Sequence, residues 1–313
     1  MSILERKIES ESDLQTWKTS KSHFRIERVL NMLDNSVKSK KRRTNSTPSS
    51  SIQNILNVFD LVQKYLDDTP PVSQAAPFSN KGFVNFYQKL FDNRKTIFKN
   101  LTDNEEAIEY FLYSFGNPIR VDLGTGNELY FLVFITCLYE LRIVSMNSID
   151  NLDQKNIENS DDCEDLVFLV FWRYWDMLIS IQRKYRLSPA GTHGSWGVDD
   201  FVTLPFVFGS SQLIKSGSSN TEIEILPSNI IDRDISTKFQ DVYAYCKWIC
   251  YLHESKTGPF SQHSRVLYSL SSISSFDQIH TGMLKMFKAE VLDKFVVVQQ
   301  FKFGSLIQYD DKK

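Results

Sequence analysis

The chain has 313 residues, of which 42% are hydrophobic and 13% aromatic, which is enough apolar material for a sizeable folded core. Its 36 basic and 38 acidic residues give a formal net charge of -2. This balance excludes a general affinity for nucleic acid or anionic membranes, since both require a basic excess. We therefore expect a globular protein that recognises its partners at local sites.

The cysteines and the N-terminus bear on the cellular compartment. Cys246 and Cys250 have the i,i+4 spacing of one helix face, which favours buried thiols over a disulfide framework and hence a reducing compartment. The charged N-terminus lacks the apolar core of a signal peptide, and the longest apolar run, Tyr130–Tyr139, is about half of what spanning a bilayer needs. We expect a cytoplasmic protein, with nuclear entry as an alternative.

Residues 1–51 are predicted to form an N-terminal region of one or two helices and a loop. The second helix is predicted to bury Phe24, Val29, Leu30 and Leu33. From Asn35 to Ser51 the chain is basic and then rich in Ser and Thr, with no apolar anchor after Val37, so a mobile loop is expected. Its run Lys38–Arg43 fits either a nuclear import signal or a solvated basic loop.

Residues 52–309 are predicted to form one helical domain, followed by a polar tail at 310–313. Apolar residues at helical spacing predict helices over 52–68, 81–100, 127–143, 166–185, 236–254 and 276–295. Thr102 and Asp103 are candidate caps of a further short helix, and Phe201–Ile214 is predicted as a helix or packed turns that Pro205 interrupts. Because no convincing period-two strand occurs, an all-α fold is expected.

The segment Phe115–Glu128, FGNPIRVDLGTGNE, combines a turn with a potential anion site. Gly124 to Gly126 directly precede an apolar helix, so free backbone amides at its N-terminus would favour an anion, and Arg120 would add donors. The third glycine of a dinucleotide fingerprint and the Lys-Ser/Thr of a phosphate-binding loop are both missing. The alternative is a tight turn that only leads into a buried helix.

The segment Ser188–Leu213, SPAGTHGSWGVDDFVTLPFVFGSSQL, is predicted to be a shaped loop followed by packed structure. Its glycines allow close backbone approach, which suits a groove for an extended peptide or a phosphate. Asp199 and Asp200 would either cap a helix or place a carboxylate on Mg²⁺ beside a phosphate. The sequence around Ser195 lacks the first glycine and the preceding strand of a nucleophile elbow, which disfavours a serine hydrolase, and the absence of HExxH excludes that class of metalloprotease.

These segments and several others, in the same order, resemble the phosphotyrosyl phosphatase activators, the activator proteins of serine/threonine phosphatase 2A. The resemblance runs from about Ile55 to Leu306. Its motifs are DTPP from Asp68, FGN with Arg120 and GTG at 124–126, YRL-x-PAG-x-HG-x-WG-x-DD from Tyr185, LPF at 204–206, GSSQL from Gly209, KTGPF-x-x-HS from Lys256, KAE-x-L at 288–292 and FKFGSL from Phe301. The resemblance implies an all-α fold with core, linker and lid subdomains around a conserved cleft.

The same resemblance implies peptidyl-prolyl cis-trans isomerase activity and the binding of ATP and Mg²⁺ at an interface with the phosphatase catalytic subunit. Carried over by motif, the nucleotide would contact Arg120, Thr125, Gly126, Gln299, Gln300 and Phe301. Mg²⁺ would be held by Gly194 and Asp200, and the phosphatase would contact Ser195, Gly282 and Met286. The peptide cleft and its catalytic residues would include Trp196 and Asp199.

Four positions depart from the family's motifs. Asn127 replaces the histidine of GTGHE, Ser195 replaces the usual valine, and Val296 and Gln300 replace the proline and histidine of PVxQH. Two hypotheses follow. The protein is an ATP- and Mg-dependent phosphatase activator with isomerase activity, or it is a non-enzymatic phosphatase-binding scaffold that has lost both nucleotide and isomerase function. The expected partners are the catalytic subunit and a proline-containing segment, bound by a monomer or by a dimer formed around the peptide.

Overall fold

The computed structural model describes residues 3–43, 47–146, 161–191, 197–215 and 225–310, which form mainly α-helices. The helices are α1 (Glu11–Lys18), α2 (Lys21–Val37), α3 (Ser50–Asp67), α4 (Gly82–Ile97), α5 (Glu105–Tyr113), α6 (Thr125–Glu140), α7 (Cys163–Asp165), α8 (Trp172–Tyr185), α9 (Leu204–Gln212), α10 (Arg233–Phe239), α11 (Ala244–Ser255), α12 (Phe260–His263), α13 (Arg265–Leu270), α14 (Phe276–Phe287) and α15 (Phe295–Val298). Two π-helical turns, Leu166–Phe171 and Lys288–Leu292, precede α8 and follow α14. The predicted all-α fold is confirmed.

Two small strand pairs, which the sequence did not predict, connect distant parts of the chain. β1 (Glu5–Arg6) pairs antiparallel with β4 (Lys302–Phe303), and β2 (Asp122–Leu123) pairs parallel with β3 (Ser188–Pro189). Strands of two residues are too short to show a period-two pattern. They tie the N-terminus to the C-terminal segment, and the residues before α6 to those after α8.

The helix α6 forms the centre of the core because it is apolar on nearly all sides. Its residues from Asn127 to Leu138 are all buried. The ring of Phe131 stacks on Tyr174 of α8 at 3.9 Å and meets Phe171 edge-on at 4.9 Å. As far as the described residues go, no helix combines the length and the apolar character needed to cross a membrane.

Two long predicted helices are each interrupted, because tertiary partners bind the backbone at the break. The helix predicted over 236–254 is two helices, and the side chain of Gln212 accepts from the Ala244 amide at 2.9 Å and donates to the Val242 carbonyl at 3.1 Å between them. The helix predicted over 276–295 ends in the second π-helical turn, where the Trp17 indole donates to the Leu292 carbonyl at 3.1 Å.

Three local predictions were wrong. Pro205 does not interrupt a helix but lies in the first turn of α9, where its missing N–H costs nothing. Asn104, rather than Thr102 or Asp103, caps α5 by accepting from the Ala107 amide at 2.9 Å. Phe24 is 38% exposed, whereas the predicted partners on its helix are buried.

The basic run Lys38–Arg43 is anchored, contrary to the expectation for this loop. The Arg42 guanidinium lies 4.2 Å from the centre of the Trp172 ring, and Lys40 forms an ion pair with Glu164. A cation stacked on an aromatic ring thus replaces the apolar anchor that the sequence lacks. Positions 44–46 of the predicted loop lie outside the described residues.

A buried carboxylate fixes the C-terminal segment to α5. Glu106 is 2% exposed, and its side chain accepts from the amides of Ser305 at 2.6 Å, Leu306 at 2.8 Å and Ile307 at 2.9 Å. Gly304 is required beside it, since an added Cβ would lie 2.4 Å from the Glu106 carboxyl carbon. These hydrogen bonds and the close approach of Gly304 together fix the course of the segment that follows β4.

We predict that Glu106→Gln destabilises the protein by about 2–4 kcal/mol, because an amide group replaces one of the two acceptor oxygens and leaves buried backbone N–H groups unpaired. The matched control is Glu105→Gln, which changes the neighbouring and more exposed carboxylate paired with Arg94 and should cost less than about 1 kcal/mol. Urea unfolding measures both values. Equal destabilisation by the two substitutions would contradict the assignment.

Candidate functional site

A cleft of about 710 Å³ opens where distant segments of the chain meet. The loop before α6, the first turns of α6, the residues after β3, the segment 296–302 and β1 all contribute to its walls. The predicted site residues that line it are Arg120, Thr125, Gly126, Asp199, Asp200, Gln299, Gln300 and Phe301. The structure therefore brings together residues that are up to about 180 positions apart in the sequence, while their roles stay predictions.

The other predicted site residues are not part of this cleft as described. Gly282 and Met286 lie on α14 and are not among the residues that line it. An added Cβ at Gly282 would meet no atom within 4 Å, so this position faces open space. Gly194, Ser195 and Trp196 lie outside the described residues.

The start of α6 forms one wall of the cleft, and Asn127 fixes its geometry. The Asn127 side chain accepts from the Gly124 amide at 3.0 Å and donates to the Tyr113 carbonyl at 2.7 Å. The first-turn amides of Thr125 and Gly126 have no acceptor within the helix, and the helix dipole gives this end a positive character. Asn127 thus preserves the helix start despite replacing the family's histidine.

A rigid turn carries Arg120 to the rim of the cleft. The Asn117 side chain accepts from the amides of Ile119 and Arg120 at 2.9 and 3.0 Å. The guanidinium of Arg120 forms a two-point ion pair with Asp122 at 2.6 and 3.2 Å, and its Nη1 lies 3.5 Å from Gln300 Oε1. Most of the Arg120 charge is therefore compensated within the protein.

Phe301 supports the cleft as part of the core. Its ring is 2% exposed and lies against Tyr110 at 5.8 Å and Tyr130 at 5.0 Å, nearly parallel to both. The Tyr130 hydroxyl donates to the Gln300 carbonyl and accepts from the Lys302 amide, both at 3.0 Å. The ring of Phe301 thus belongs to the core, from which it positions Gln300 and Lys302.

The adjacent carboxylates of Asp199 and Asp200 have different environments. Asp199 accepts from the amides of Phe201 at 2.9 Å and Val202 at 3.2 Å through Oδ2. Its buried Oδ1 has no hydrogen-bond partner among the described residues, and burial raises the pKa of Asp199 although the charge of Lys256 opposes the shift. Asp200 forms a 2.6 Å ion pair with Lys256.

These carboxylates are the oxygen donors that Mg²⁺ prefers. Within the described ranges no group of three His, Cys, Asp or Glu side chains could hold a metal ion. Mg²⁺ is commonly bound by one or two carboxylates together with substrate phosphates. The carboxylate of Asp200, the side chain predicted to hold Mg²⁺, fits that pattern, provided that the metal displaces Lys256.

The sequence did not identify several residues of the cleft. They are Arg6 from β1, Tyr87 and Phe91 from α4, Tyr113 from the end of α5, and Lys302 from β4. The Lys302 ammonium donates to the Tyr113 hydroxyl at 2.6 Å and lies 4.4 Å from the centre of that ring. Lys302 lies within the FKFGSL motif but was given no role, and the other residues lie outside the quoted motifs, because strand pairing and helix packing bring them to the cleft.

Behind the cleft, a fully buried carboxylate links α6 to α9. Glu128 Oε2 accepts from the amides of Thr203 at 2.6 Å and Leu204 at 2.9 Å, and Oε1 accepts from the Trp175 indole at 3.3 Å. Burial raises the pKa of Glu128 to about 8, despite the opposing hydrogen bonds. The start of α9, and with it the path of Asp199 and Asp200, depends on this side chain.

Comparison with known proteins gives a family match over almost the whole chain. The family model described as "Phosphotyrosyl phosphate activator (PTPA) protein" matches residues 4–309. The crystal structure of the PP2A phosphatase activator Ypa1 has a TM-score of 0.81 and 26% sequence identity, and the match covers 96% of this chain and 93% of that chain.

Curated relatives are similar over most of their length. A probable serine/threonine-protein phosphatase 2A activator 1 of Dictyostelium discoideum is 34% identical over 308 residues, which cover 96% of this chain and 89% of the relative. A serine/threonine-protein phosphatase 2A activator 2 of Debaryomyces hansenii is 34% identical over 322 residues, with 98% and 82% covered. The Drosophila melanogaster activator is 28% identical, with 97% and 73% covered.

The raised pKa of Glu128 predicts a pH-dependent stability. Between about pH 4.5 and pH 8 the folded state holds a proton that the unfolded state has lost, so this group's stabilising contribution is greatest at low pH and disappears as the pH rises towards 8. We expect the free energy of unfolding of the wild type, relative to Glu128→Gln, to fall between pH 5 and pH 8. Urea unfolding at both pH values measures it, and a constant difference would contradict the prediction.

Proposed function

The chain belongs to the PTPA family of serine/threonine-protein phosphatase 2A activators, and on this premise we propose that it binds a type 2A catalytic subunit in an ATP- and Mg-dependent manner and isomerises a prolyl peptide bond. The observation that carries the proposal is the convergence of the α6 N-terminus, Asp199, Asp200 and the segment 296–302 on one cleft. The names of the relatives supply the class of partner.

The nucleotide part of the proposal rests on complementary groups at the two sides of the cleft. The first-turn amides of Thr125 and Gly126 suit a phosphate group, and the carboxylate of Asp200 suits a divalent metal. When bound, ATP·Mg would add negative charge and a metal-bridged contact to the surface offered to the phosphatase. The chain itself would orient these groups, because strands and buried carboxylates fix both walls.

The isomerase part rests on Asp199 and on the aromatic residues that line the cleft, and the family resemblance adds Trp196. Rotation about a peptide bond has a barrier of ~18–20 kcal/mol because of its partial double-bond character. A hydrogen bond to the prolyl nitrogen favours the twisted amide, and a dry pocket lowers the barrier by binding that form preferentially. Burial favours the protonated form of Asp199, which would make it a donor for this bond.

A second candidate is the scaffold without nucleotide or isomerase function. Two ion pairs favour it, since Arg120 is already paired with Asp122 and Asp200 with Lys256. In this case the charges of Arg120 and Asp200 are neutralised by the chain's own side chains. Binding to the phosphatase would then not depend on ATP or Mg²⁺.

Capture of the phosphatase distinguishes the two functions. We predict that the immobilised protein retains more type 2A catalytic subunit with ATP·Mg than without it, and that Asp200→Asn removes the difference because it weakens metal binding. Equal capture by the wild type with ATP·Mg, by the wild type without it, and by Asp200→Asn would support the scaffold. No capture under any condition would contradict both functions.

Gly282 offers a variant of the predicted phosphatase surface that should leave the fold intact. Because its Cβ position faces open space, Gly282→Trp should reduce capture while the unfolding midpoint stays unchanged. Thr281→Trp, at an exposed neighbouring position on α14, is the matched control. Equal losses of capture for both would show that the contact is not specific to Gly282.

We predict that Asp199→Asn slows isomerisation of a proline-containing peptide by about 10²-fold, the range expected when a positioned acid is lost. The amide retains an acceptor for Phe201 and Val202, so the loop should keep its structure. Trp196→Ala should also slow the reaction through loss of the apolar surface. A protease-coupled assay with unfolding midpoints as the folding control measures both, and unchanged rates would exclude these roles.

A further inference from the structure

Arg6 and Lys302 are the two cations in the described lining of the cleft that have no carboxylate partner. Arg6 lies on β1, is exposed and lines the cleft. Arg120 is paired with Asp122, and Asp200 is paired with Lys256. Among the described residues, no ion-pair partner lies near Arg6. An incoming anion would therefore find uncompensated positive charge at the β1–β4 pair.

The position of Arg6 is fixed by the strand pair. Arg6 is the register partner of Lys302 in the antiparallel pairing of β1 with β4, and both line the cleft. Leu4 and Ile8, on either side of β1, are 4% and 2% exposed and anchor the strand in the core. The side chain of Arg6 thus extends from a backbone that packing and hydrogen bonds hold in place.

Two cations that face each other across a strand pair repel one another. Directly opposed like charges destabilise a β-pair, and the Lys302 ammonium is held by the neutral Tyr113 hydroxyl and ring rather than by a carboxylate. An anion bound between Arg6 and Lys302 would remove this repulsion and gain charge-assisted hydrogen bonds from both.

We propose that Arg6 and Lys302 form an anion-binding subsite for a phosphate group, at the β1–β4 end of the cleft. A guanidinium fork beside an ammonium matches phosphate oxygens. The subsite rests on the proposed nucleotide role and adds a phosphate contact to those offered by the first-turn amides of Thr125 and Gly126. Arg120, being paired, acts chiefly through the shape of its turn.

Binding of inorganic tripolyphosphate tests the subsite without a base or a ribose. Calorimetric titration of the full chain is expected to show binding that Arg6→Ala weakens by about tenfold or more, as expected for a lost charge-assisted contact, and that weakens with salt. Lys7→Ala is the matched control, because the neighbouring Lys7 pairs with Glu5 and does not line the cleft. Arg6→Lys should retain part of the affinity.

The outcomes separate the subsite from the proposed function. Unchanged binding by Arg6→Ala, equal losses for Arg6→Ala and Lys7→Ala, or no binding by the wild type would each overturn the subsite. Loss confined to Arg6→Ala, with an unchanged unfolding midpoint, would support it even if ATP had no effect on phosphatase capture. In that last case only the nucleotide dependence of the proposed function would fail.

Discussion

The cleft depends on the hydrogen bonds that the Glu106 carboxylate accepts from the amides of residues 305–307. These hydrogen bonds fix the C-terminal segment to α5, and the Phe301 ring, stacked on Tyr110 and Tyr130, fixes the residues before it to α6. A buried carboxylate costs free energy unless its hydrogen bonds are complete. Any other path of the C-terminal segment would leave the buried Glu106 carboxylate without these hydrogen bonds and would cost free energy. The wall formed by 296–302 therefore has a defined shape.

Glu128 uses the same device on the other side of α6. Its hydrogen bonds to Thr203 and Leu204 place the start of α9, and the short loop before it carries Asp199 and Asp200. Each wall of the cleft is thus anchored to the α5–α6 pair, and the two walls are not anchored to each other. Ligand-binding residues on separate segments can keep a constant spacing because each segment is anchored to one rigid core.

Sequence patterns predicted the helical core well and the cleft only in part. Helices such as α3 and α4 could be predicted from the spacing of their apolar residues, because that spacing is a local property of the sequence. The breaks at Val242 and Leu292 could not be predicted, since Gln212 and Trp17 come from distant segments. Arg6 was missed for the same reason. The motif residues around Arg120 and Gly126 were predicted as site residues because the family resemblance implies that their segments meet at one cleft.

Three of the four departures from the family's motifs, Asn127, Val296 and Gln300, lie in the lining of the cleft. Asn127 supplies the cap that holds the α6 N-terminus, while Val296 is 56% exposed and Gln300 lies beside Arg120. Since an amide replaces a titratable imidazole at two of these positions, the charge of this wall is set by its Arg and Lys residues and should vary less around neutral pH. The three substitutions therefore alter the lining of the cleft, while its walls remain supported from within.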